Sequence, residues 1–424
     1  MQISAAAAVG SHRVVFGVYR DGDNNLDAVQ ERNVTDFVRE TRTNPALKVV
    51  AEDTTGVRKA PFKQGDLRTE WSIIQNGAQH VVRIESARDM SSRATLAAFV
   101  NRTLEQRESD SKFGSADVWL DLVDHGAGDG GGLESDANGG AVMKMDDIAG
   151  AIADGRALFE RSHPGADSSV TGVLANQCLM ATLGFADALS RSGVRYLAAS
   201  PETMLAPGAP SAKIADALTQ PGDWASAVVD ATMQTRYGDA RSSYHPAAAF
   251  GVFDLDPAKI QAVRSAVAGF NASVVGLRRL PSGADMLHDV RSDIRSIPGM
   301  ARFDHSADMV YHADRPAEAV YDAIASDSRL PASVRNTAAA ARDAVGALVL
   351  AHREYAWFAP LNSSYADAAG PTEHLPLTPQ QYDPWSSGGV TETHNEFFGA
   401  VHGRELARAL GAYDARDDRA VLVA

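Results

Sequence analysis

The sequence predicts an α/β fold, in which a mainly parallel sheet flanked by helices is followed by a smaller, mostly helical C-terminal domain. Apolar runs alternate with amphipathic helical stretches through roughly the first half of the chain. Several of these runs, such as Arg13 to Tyr19, are apolar almost throughout, which is typical of strands buried on both faces. After about Leu218 the alternation weakens and helical spacing dominates.

The strand signals of the N-terminal half occur in a clear order. Between the third and fourth strands, Asn76-Gly77 is a typical hairpin turn. Ser91 or Ser92 is predicted to cap the helix before the fifth strand. The predicted strands are RVVFGVY, KVVAED, WSIIQ, HVVRIE, ADVWLDLVD, TGVLAN and RYLAAS.

The C-terminal part begins with one more strand, HPAAAFGVFDL. Asp256-Pro257 then begins a helix, with aspartate as the cap and proline in the first turn. Residues 284–357 are predicted to be largely helical, including an alanine-rich helix from Asn336 to Glu354. The segment from Asn362 to Gly389 is rich in Pro, Ser, Gly and Tyr, and this composition predicts a long surface loop.

Length, charge and cysteine content narrow the possible functions. A chain of 424 residues suggests two domains, which we place at residues 12–255 and 256–424. The net charge of −14 argues against a nucleic-acid partner, because an acidic chain repels phosphate. No run approaches the ~20 apolar residues of a membrane span. No signal peptide is visible, but a secreted chain trimmed of its signal would look the same, so the compartment stays open.

The single cysteine, Cys178, excludes an internal disulfide and disfavours a structural zinc site. A lone cysteine is by default a small buried apolar residue. Its context indicates more, because an apolar strand runs into Asn176-Gln177-Cys178 and a helical stretch with Leu179 on its apolar face follows.

A second strand end carries a histidine. The run DVWLDLVD leads into His125-Gly126 and then into a glycine-rich loop. In an open parallel sheet, ligands bind at the carboxyl ends of the strands. One helical crossover separates His125 from Cys178, which suits neighbouring parallel strands. Taken alone, His125 is equally well a hydrogen-bonded histidine at a strand end.

The pair has a chemical logic. A free thiol is only a few per cent thiolate at neutral pH, and a nearby base or positive dipole raises that fraction. We expect the helix predicted to begin at Cys178 to favour the thiolate through its dipole, and His125 to act as the general base. The N–H groups of Gly126 and Cys178 are candidates for an oxyanion hole. The loop lacks the Gly-Lys-Ser/Thr ending of a phosphate-binding loop.

The order of these motifs resembles the group of cysteine peptidases that contains caspases, legumain, gingipains and clostripain. Three stretches resemble the clostripain family in particular: VYRDGDNNLD, QCLMATLGFADAL and YLAASPETMLAPG. Weaker similarities occur in FGVFDLDPAKI and ADMVYHAD. The resemblance implies a caspase-like sheet and a Cys178–His125 dyad that cleaves peptide or protein substrates. It also implies that the enzyme cleaves substrates after a basic residue, cleaves its own chain and is stimulated by calcium. No cofactor is required for the chemistry.

The sequence departs from the family pattern near the cysteine. The family has aspartate two positions before the nucleophile, where it binds a basic substrate side chain, and here that position is Asn176. A small residue usually precedes the cysteine, and here it is Gln177. The family's Gly-Gly-Trp after His-Gly is replaced from Ala127. Either another acid restores the pocket charge, with Glu202 as the best candidate, or the pocket prefers a neutral polar residue. For Glu202 itself, a solvated loop residue is an equally good interpretation.

Two family traits map onto specific residues here. If the chain matures by cutting after a basic residue between His125 and Arg156, the cut follows Lys144, although Asp146 or Asp147 is expected to begin a helix that shields this bond. Possible calcium ligands are Asp21, Asp23 and Asp27, but helix capping by Asp23 or Asn24 is the simpler interpretation. We predict no bound metal. His394 and His402 are too far apart on a helix to share a metal without other ligands.

Three functions remain open from sequence. The leading one is a cysteine endopeptidase that works through an acyl-enzyme on Cys178. The second is a non-catalytic caspase-fold relative that serves as a binding module, which the changes at Asn176 and after Gly126 favour. The third is a hydrolase or transferase acting on a non-peptide acyl group with the same dyad.

Overall fold

A computed structural model gives the arrangement of most of the chain. It describes residues 12–22, 26, 32–56, 67–128, 131–135, 141–239, 243–299, 301–303, 309–311, 314–355, 370–378 and 396–412. None of the helices within these residues has the length and hydrophobicity of a transmembrane span.

The described residues form fifteen strands, which are β1 Val14–Gly22, β2 Leu47–Gly56, β3 Leu67–Gln75, β4 Ala78–Ser86, β5 Asp117–Val123, β6 Gly132–Ser135, β7 Ala141–Met143, β8 Gly172–Asn176, β9 Tyr196–Ala199, β10 Ala249–Asp254, β11 Ala301–Phe303, β12 Met309–Tyr311, β13 Asp314–Pro316, β14 Val349–Glu354 and β15 Thr372–His374. The α-helices of the same residues are α1 Arg32–Thr43, α2 Arg93–Glu108, α3 Met145–Ser162, α4 Leu183–Arg191, α5 Ser211–Thr219, α6 Trp224–Met233, α7 Pro257–Gly276, α8 Gly283–Ser296, α9 Ala317–Ser326, α10 Ala332–Gly346, α11 Glu396–Ala400 and α12 Gly403–Ala409.

Nine of the strands form one sheet in the order β14-β10-β9-β8-β5-β1-β2-β3-β4. The central strands β9, β8, β5, β1 and β2 are parallel, and the strands at both edges are antiparallel. The α/β prediction is therefore confirmed. The parallel centre carries the residues of interest, because β5 and β8 are direct neighbours there.

Alternating side chains of the central strands enter two separate cores. On one face, Leu120 and Leu122 pack with helices α2, α3 and α4 and with the C-terminal helices. On the other face, Trp119 and Val123 pack with helices α5 and α6. Burial on both faces explains why these strands read as continuous apolar runs.

Local signals placed several boundaries correctly. Asn76 and Gly77 both adopt positive φ, of 53° and 76°, as a two-residue hairpin turn requires. Ser92 occupies the N-cap position of α2, but its side chain makes no capping hydrogen bond. Asp256 caps α7 through a 2.8 Å hydrogen bond that its side chain accepts from the N–H of Ala258.

Two C-terminal expectations were wrong. The alanine-rich helix ends at Gly346, and Val349–Glu354 forms edge strand β14 beside β10. Of the predicted surface loop, residues 362–369 and 379–389 lie outside the described residues, whereas residues 370–377 are buried and include β15. Its polar side chains are buried because they pair with partners from distant parts of the chain. The boundary at residue 255 stays a prediction, but it does not isolate the sheet, which receives β14 from beyond it.

Helices α2 and α3 pack closely because Gly155 has no side chain. A Cβ there would lie 2.6 Å from the carbonyl oxygen of Ala97 and 2.6 Å from Cβ of Val100. Gly269, in the interior of α7, has no atom within 4 Å of an added Cβ. Substitution of Gly269 therefore reports only the low helix propensity of glycine, whereas substitution of Gly155 also reports the close packing of the two helices.

We predict opposite results for the same substitution at these positions. Gly269→Ala should stabilise the fold by about 1 kcal/mol, because alanine favours the helix over glycine. Gly155→Ala should destabilise it by ~1–3 kcal/mol, because the added methyl forces the two helices apart. Urea unfolding of both variants measures this difference. Equal stabilisation by both substitutions would contradict the packing role of Gly155.

Candidate active site

The predicted strand ends meet at the carboxyl edge of the sheet. Val123, the last residue of β5, pairs with Asn176, the last residue of β8. The segments that follow, with His125 and Cys178, therefore leave the sheet side by side. This is the neighbouring arrangement that the single crossover predicted.

The two segments touch at Gly126. A Cβ at this position would lie 3.0 Å from the backbone N of Cys178 and 2.9 Å from Cβ of Gln177, and closer still to the Cys178 carbonyl oxygen. Such separations are too short for any side chain, so only glycine allows this approach. Gly126 therefore permits a close contact between the histidine and cysteine segments.

The loop after His125 folds back as a narrow hairpin. Ala127 N–H donates to the Gly131 carbonyl at 2.8 Å, and Leu133 N–H donates to the His125 carbonyl at 3.3 Å. Gly126 and Gly132 face each other between these two bonds. Within the described residues, the N–H of Gly126 has no backbone carbonyl partner, and neither has the N–H of Cys178.

The contacts of Gln177 explain why a long side chain stands here in place of the small residue that the family usually has before the cysteine. Its side chain is buried, and its Nε2 donates a 2.8 Å hydrogen bond to the His125 carbonyl. Gly132 leaves room for the larger side chain, since a Cβ there would overlap the Gln177 amide. A long amide in place of a small residue thus ties the cysteine segment to the histidine segment.

The helix expected to begin at Cys178 begins later, so this prediction was wrong. Cys178 and Leu179 form a turn in which Leu179 has a φ of 64°. Helix α4 begins at Leu183 and is capped by Thr182, whose hydroxyl accepts from the Phe185 N–H at 3.0 Å. The α4 dipole is therefore several residues away, and its effect falls off within the first turn.

The thiol instead contacts the backbone of Met204. Its Sγ lies 3.3 Å from the Met204 nitrogen and 3.6 Å from the Met204 carbonyl oxygen. Burial raises the pKa of Cys178 to about 11, with further increases from the carboxylates of Glu202 and Asp124, while the Met204 N–H lowers it. In this form the thiol is mostly protonated at neutral pH.

Glu202 is buried, so it is not the solvated loop residue that was the alternative interpretation. Its backbone carbonyl accepts from Leu179 N–H at 3.1 Å, and its side chain accepts from Thr203 N–H at 3.4 Å. Because its charge raises the pKa of Cys178, its carboxylate lies within electrostatic range of the thiol.

Asn176 occupies the predicted last position of its strand, but its amide is engaged by a neighbouring loop. Its Nδ2 donates at 3.1 Å both to the Ala209 carbonyl and to Ser211 Oγ, and its Oδ1 accepts from the Ala209 N–H at 2.7 Å. An aspartate there would lose both donated bonds and face the Ala209 carbonyl with a charge. The change from the family aspartate therefore suits a role in holding this loop.

A further acidic residue lies two residues before the end of β5, on the same face of the sheet as Asn176. Asp121 is fully buried on β5, opposite Leu174 of β8. Burial raises its pKa to about 7, and Ser211, which also contacts Asn176, lowers it. Sequence reasoning missed this residue, although an aspartate inside an otherwise apolar strand was a visible signal.

The bond after Lys144 is held by α3. Lys144 is exposed, but its carbonyl accepts from the N–H groups of both Asp147 and Ile148 at 3.0 Å. Helix α3 begins at Met145, whose side chain is buried. The shielding helix is thus confirmed, and cleavage after Lys144 stays a prediction that requires the first turn of α3 to open.

Calcium stimulation also stays a prediction. In the part of the chain that the structure describes, no group of three or more His, Cys, Asp or Glu residues could hold a metal ion. Asp23, Asp27 and His394 lie outside the described residues. His402 adopts a φ of 60° between helices α11 and α12, which breaks the single helix expected there.

Known structures share this fold. One is a secreted C11 (clostripain-family) cysteine protease from Bacteroides thetaiotaomicron in complex with an irreversible peptide inhibitor, with a TM-score of 0.57, 12% identity, and coverage of 92% of this chain and 99% of that one. Another is an inactive zymogen C11 protease from Parabacteroides distasonis, with a TM-score of 0.57, 14% identity, and coverage of 93% and 99%. No protein-family model matches the chain, and no curated protein matches its sequence. The likeness confirms the caspase-like fold that the sequence resemblance implied.

The charges around Cys178 should control how fast its thiol reacts with a small alkylating agent. Glu202→Gln removes a negative charge that raises the thiol pKa, so the thiolate fraction should increase. A fall of one pKa unit corresponds to a roughly tenfold gain in alkylation rate at a pH below the pKa. Iodoacetamide labelling of Cys178 between pH 7 and 10 measures this, with the exposed Glu405→Gln as the control. An unchanged or slower rate in Glu202→Gln would contradict it.

Proposed function

We propose that this protein is a cysteine endopeptidase in which Cys178 is the nucleophile and His125 is the general base. The supporting observation is the contact of the two strand ends, where Gly126 lies against the backbone of Cys178. The fold shared with clostripain-family cysteine proteases supports the same reaction class.

The proposed reaction proceeds in two halves. His125 takes the proton from Cys178, and the sulfur attacks the carbonyl carbon of the scissile peptide bond. The tetrahedral intermediate collapses as His125 donates the proton to the leaving amine, which leaves an acyl-enzyme. Water, deprotonated by His125, then releases the acid and restores the thiol.

The N–H groups of Gly126 and Cys178 would bind the oxyanion of both intermediates. Neither of them donates to a backbone carbonyl among the described residues, and the two lie on adjacent segments. Donors fixed by the backbone need no reorganisation as charge develops on the oxygen. Gln177 supports this geometry through its hydrogen bond to the His125 carbonyl.

We also propose that the enzyme prefers a basic residue before the cut and that Glu202 carries this preference. Glu202 is a buried carboxylate close enough to influence the thiol, whereas the amide of Asn176 is engaged by Ala209 and Ser211. A substrate cation beside Glu202 would neutralise its charge and so lower the pKa of Cys178. Binding of the correct substrate would then favour the thiolate.

The second candidate, a non-catalytic binding module, has one observation in its favour. The pKa of Cys178 is raised to about 11, which leaves little thiolate in the substrate-free protein. Retention of both His125 and Cys178 at touching strand ends favours catalysis. An endopeptidase should cleave peptides and lose this activity when the dyad is substituted, whereas a binding module should show no turnover at all.

Substitution of the dyad tests the endopeptidase proposal. Cys178→Ala should abolish peptide cleavage, and His125→Ala should lower kcat/KM by ~10²–10⁴ because the general base is lost. The exposed His80→Ala, at the sheet edge, should retain activity. Initial rates on a fluorogenic peptide and urea unfolding measure both effects. Cleavage that persists in Cys178→Ala would reject the assignment.

Paired substrates test the specificity proposal. We compare peptides with arginine or its neutral isostere citrulline before the cut, because their ratio of kcat/KM cancels any effect of the substitution on the thiol that is common to both substrates. Wild type should favour arginine, and Glu202→Gln should reduce that ratio at least roughly tenfold, since charge-assisted hydrogen bonds are among the stronger ones. Asn176→Asp should not increase it, because its carboxylate faces Ala209. An unchanged ratio in Glu202→Gln would contradict the role of Glu202.

A further inference from the structure

A small buried sheet contacts both catalytic segments from the C-terminal part of the chain. Strands β13 and β15 pair antiparallel, with Asp314 opposite His374. Their side chains are 4% and 5% exposed, and His374 Nδ1 lies 3.1 Å from Asp314 Oδ1. Both residues come from regions that sequence analysis treated as a weak family similarity and as a surface loop.

One contact is with the loop that follows His125. A Cβ on Gly128, which has a φ of 59°, would lie 2.8 Å from Asp314 Oδ2 and 3.5 Å from the Leu179 carbonyl oxygen. The carboxylate of Asp314 therefore packs directly against the backbone of the histidine loop. Its other oxygen is held by His374.

The other contact is with the segment that follows Cys178. Thr372, at the start of β15, donates its N–H to the Ala181 carbonyl at 2.8 Å and its hydroxyl to the same oxygen at 3.3 Å. Thr372 also forms a β-bridge with Thr182, which caps α4. The small sheet thus links the two segments that the proposed chemistry uses.

Stability alone does not explain a buried Asp–His pair. Taking such groups out of water costs free energy that their mutual attraction repays only in good geometry, and apolar replacements of similar volume are often equally stable. The pair instead orients the loop: the imidazole of His374 holds the Asp314 carboxylate in place, and that carboxylate packs against the backbone at Gly128. Small displacements of a catalytic group lower turnover strongly.

We propose that Asp314 and His374 are positioning residues that hold the loop of Gly126 and Gly128 in the conformation required for turnover. This inference rests on the proposed endopeptidase function. Neither residue exchanges protons with the substrate. Their effect reaches the reaction through the placement of the Gly126 N–H, the proposed oxyanion donor.

The matched control is Tyr321→Phe. Tyr321 hydrogen-bonds through its hydroxyl to the carboxylate of Glu373, the residue between Thr372 and His374. This substitution removes a buried polar contact from the same sheet without touching either catalytic segment. It therefore reports what general weakening of the sheet does to activity.

The test compares His374→Leu, Asp314→Ala and the conservative His374→Asn, whose amide can donate to Asp314 in place of Nδ1. In the full-length protein, kcat per folded molecule should fall ~10–100-fold in His374→Leu and Asp314→Ala, with KM changed less than about threefold. His374→Asn should recover most of the loss, and Tyr321→Phe should retain kcat. Iodoacetamide labelling of Cys178, which needs no oxyanion hole, should change less than about threefold in every variant.

Full kcat in folded His374→Leu and Asp314→Ala, or an equal loss in Tyr321→Phe, would overturn the inference. Hydrogen exchange of residues 126–133 tests it separately from activity. Exchange there should be faster in His374→Leu and His374→Asn should restore it, while Tyr321→Phe leaves it unchanged. If wild type cleaves no peptide, the proposed function fails, and unchanged exchange in His374→Leu rejects the positioning role itself.

Discussion

The contact between Gly126 and the backbone of Cys178 is the constraint on which the rest of the site depends. It requires β5 and β8 to end at the same level, which their parallel register provides. It also requires glycine at residue 126 and a hairpin that folds the histidine loop back on itself beside the cysteine segment. The Gln177 side chain fills the remaining space between the two segments, and Gly132 leaves room for it.

The charges around the thiol oppose its ionisation in the substrate-free protein. Burial, Glu202 and Asp124 all raise the pKa of Cys178, and the turn at Leu179 keeps the N-terminus of α4 at a distance. A site of this kind gains nucleophilicity when a cation enters beside Glu202. Substrate choice and nucleophile activation then depend on the same carboxylate, which is the physical content of the proposed preference for basic residues.

Sequence reasoning identified the candidate residues of the site that are marked by local sequence. His125 and Cys178 were candidates because each follows a largely apolar strand, and Gly126 was a candidate oxyanion donor because it follows His125. The start of α4 was misplaced, because a single positive φ at Leu179 breaks an otherwise regular apolar spacing. Met204, Asp314 and His374 were not predictable as neighbours, since only tertiary packing brings them to the segments that carry His125 and Cys178.

Covalent labelling tests the central claim most directly. We would treat the folded wild-type protein with a peptidyl acyloxymethyl ketone that ends in arginine, and locate the adduct by mass spectrometry of its peptides. We expect one adduct on Cys178, whose formation is suppressed by a competing arginine peptide, lost on unfolding and strongly slowed in His125→Ala. A folded protein in which Cys178 stays unmodified, or reacts equally fast after unfolding, would contradict it.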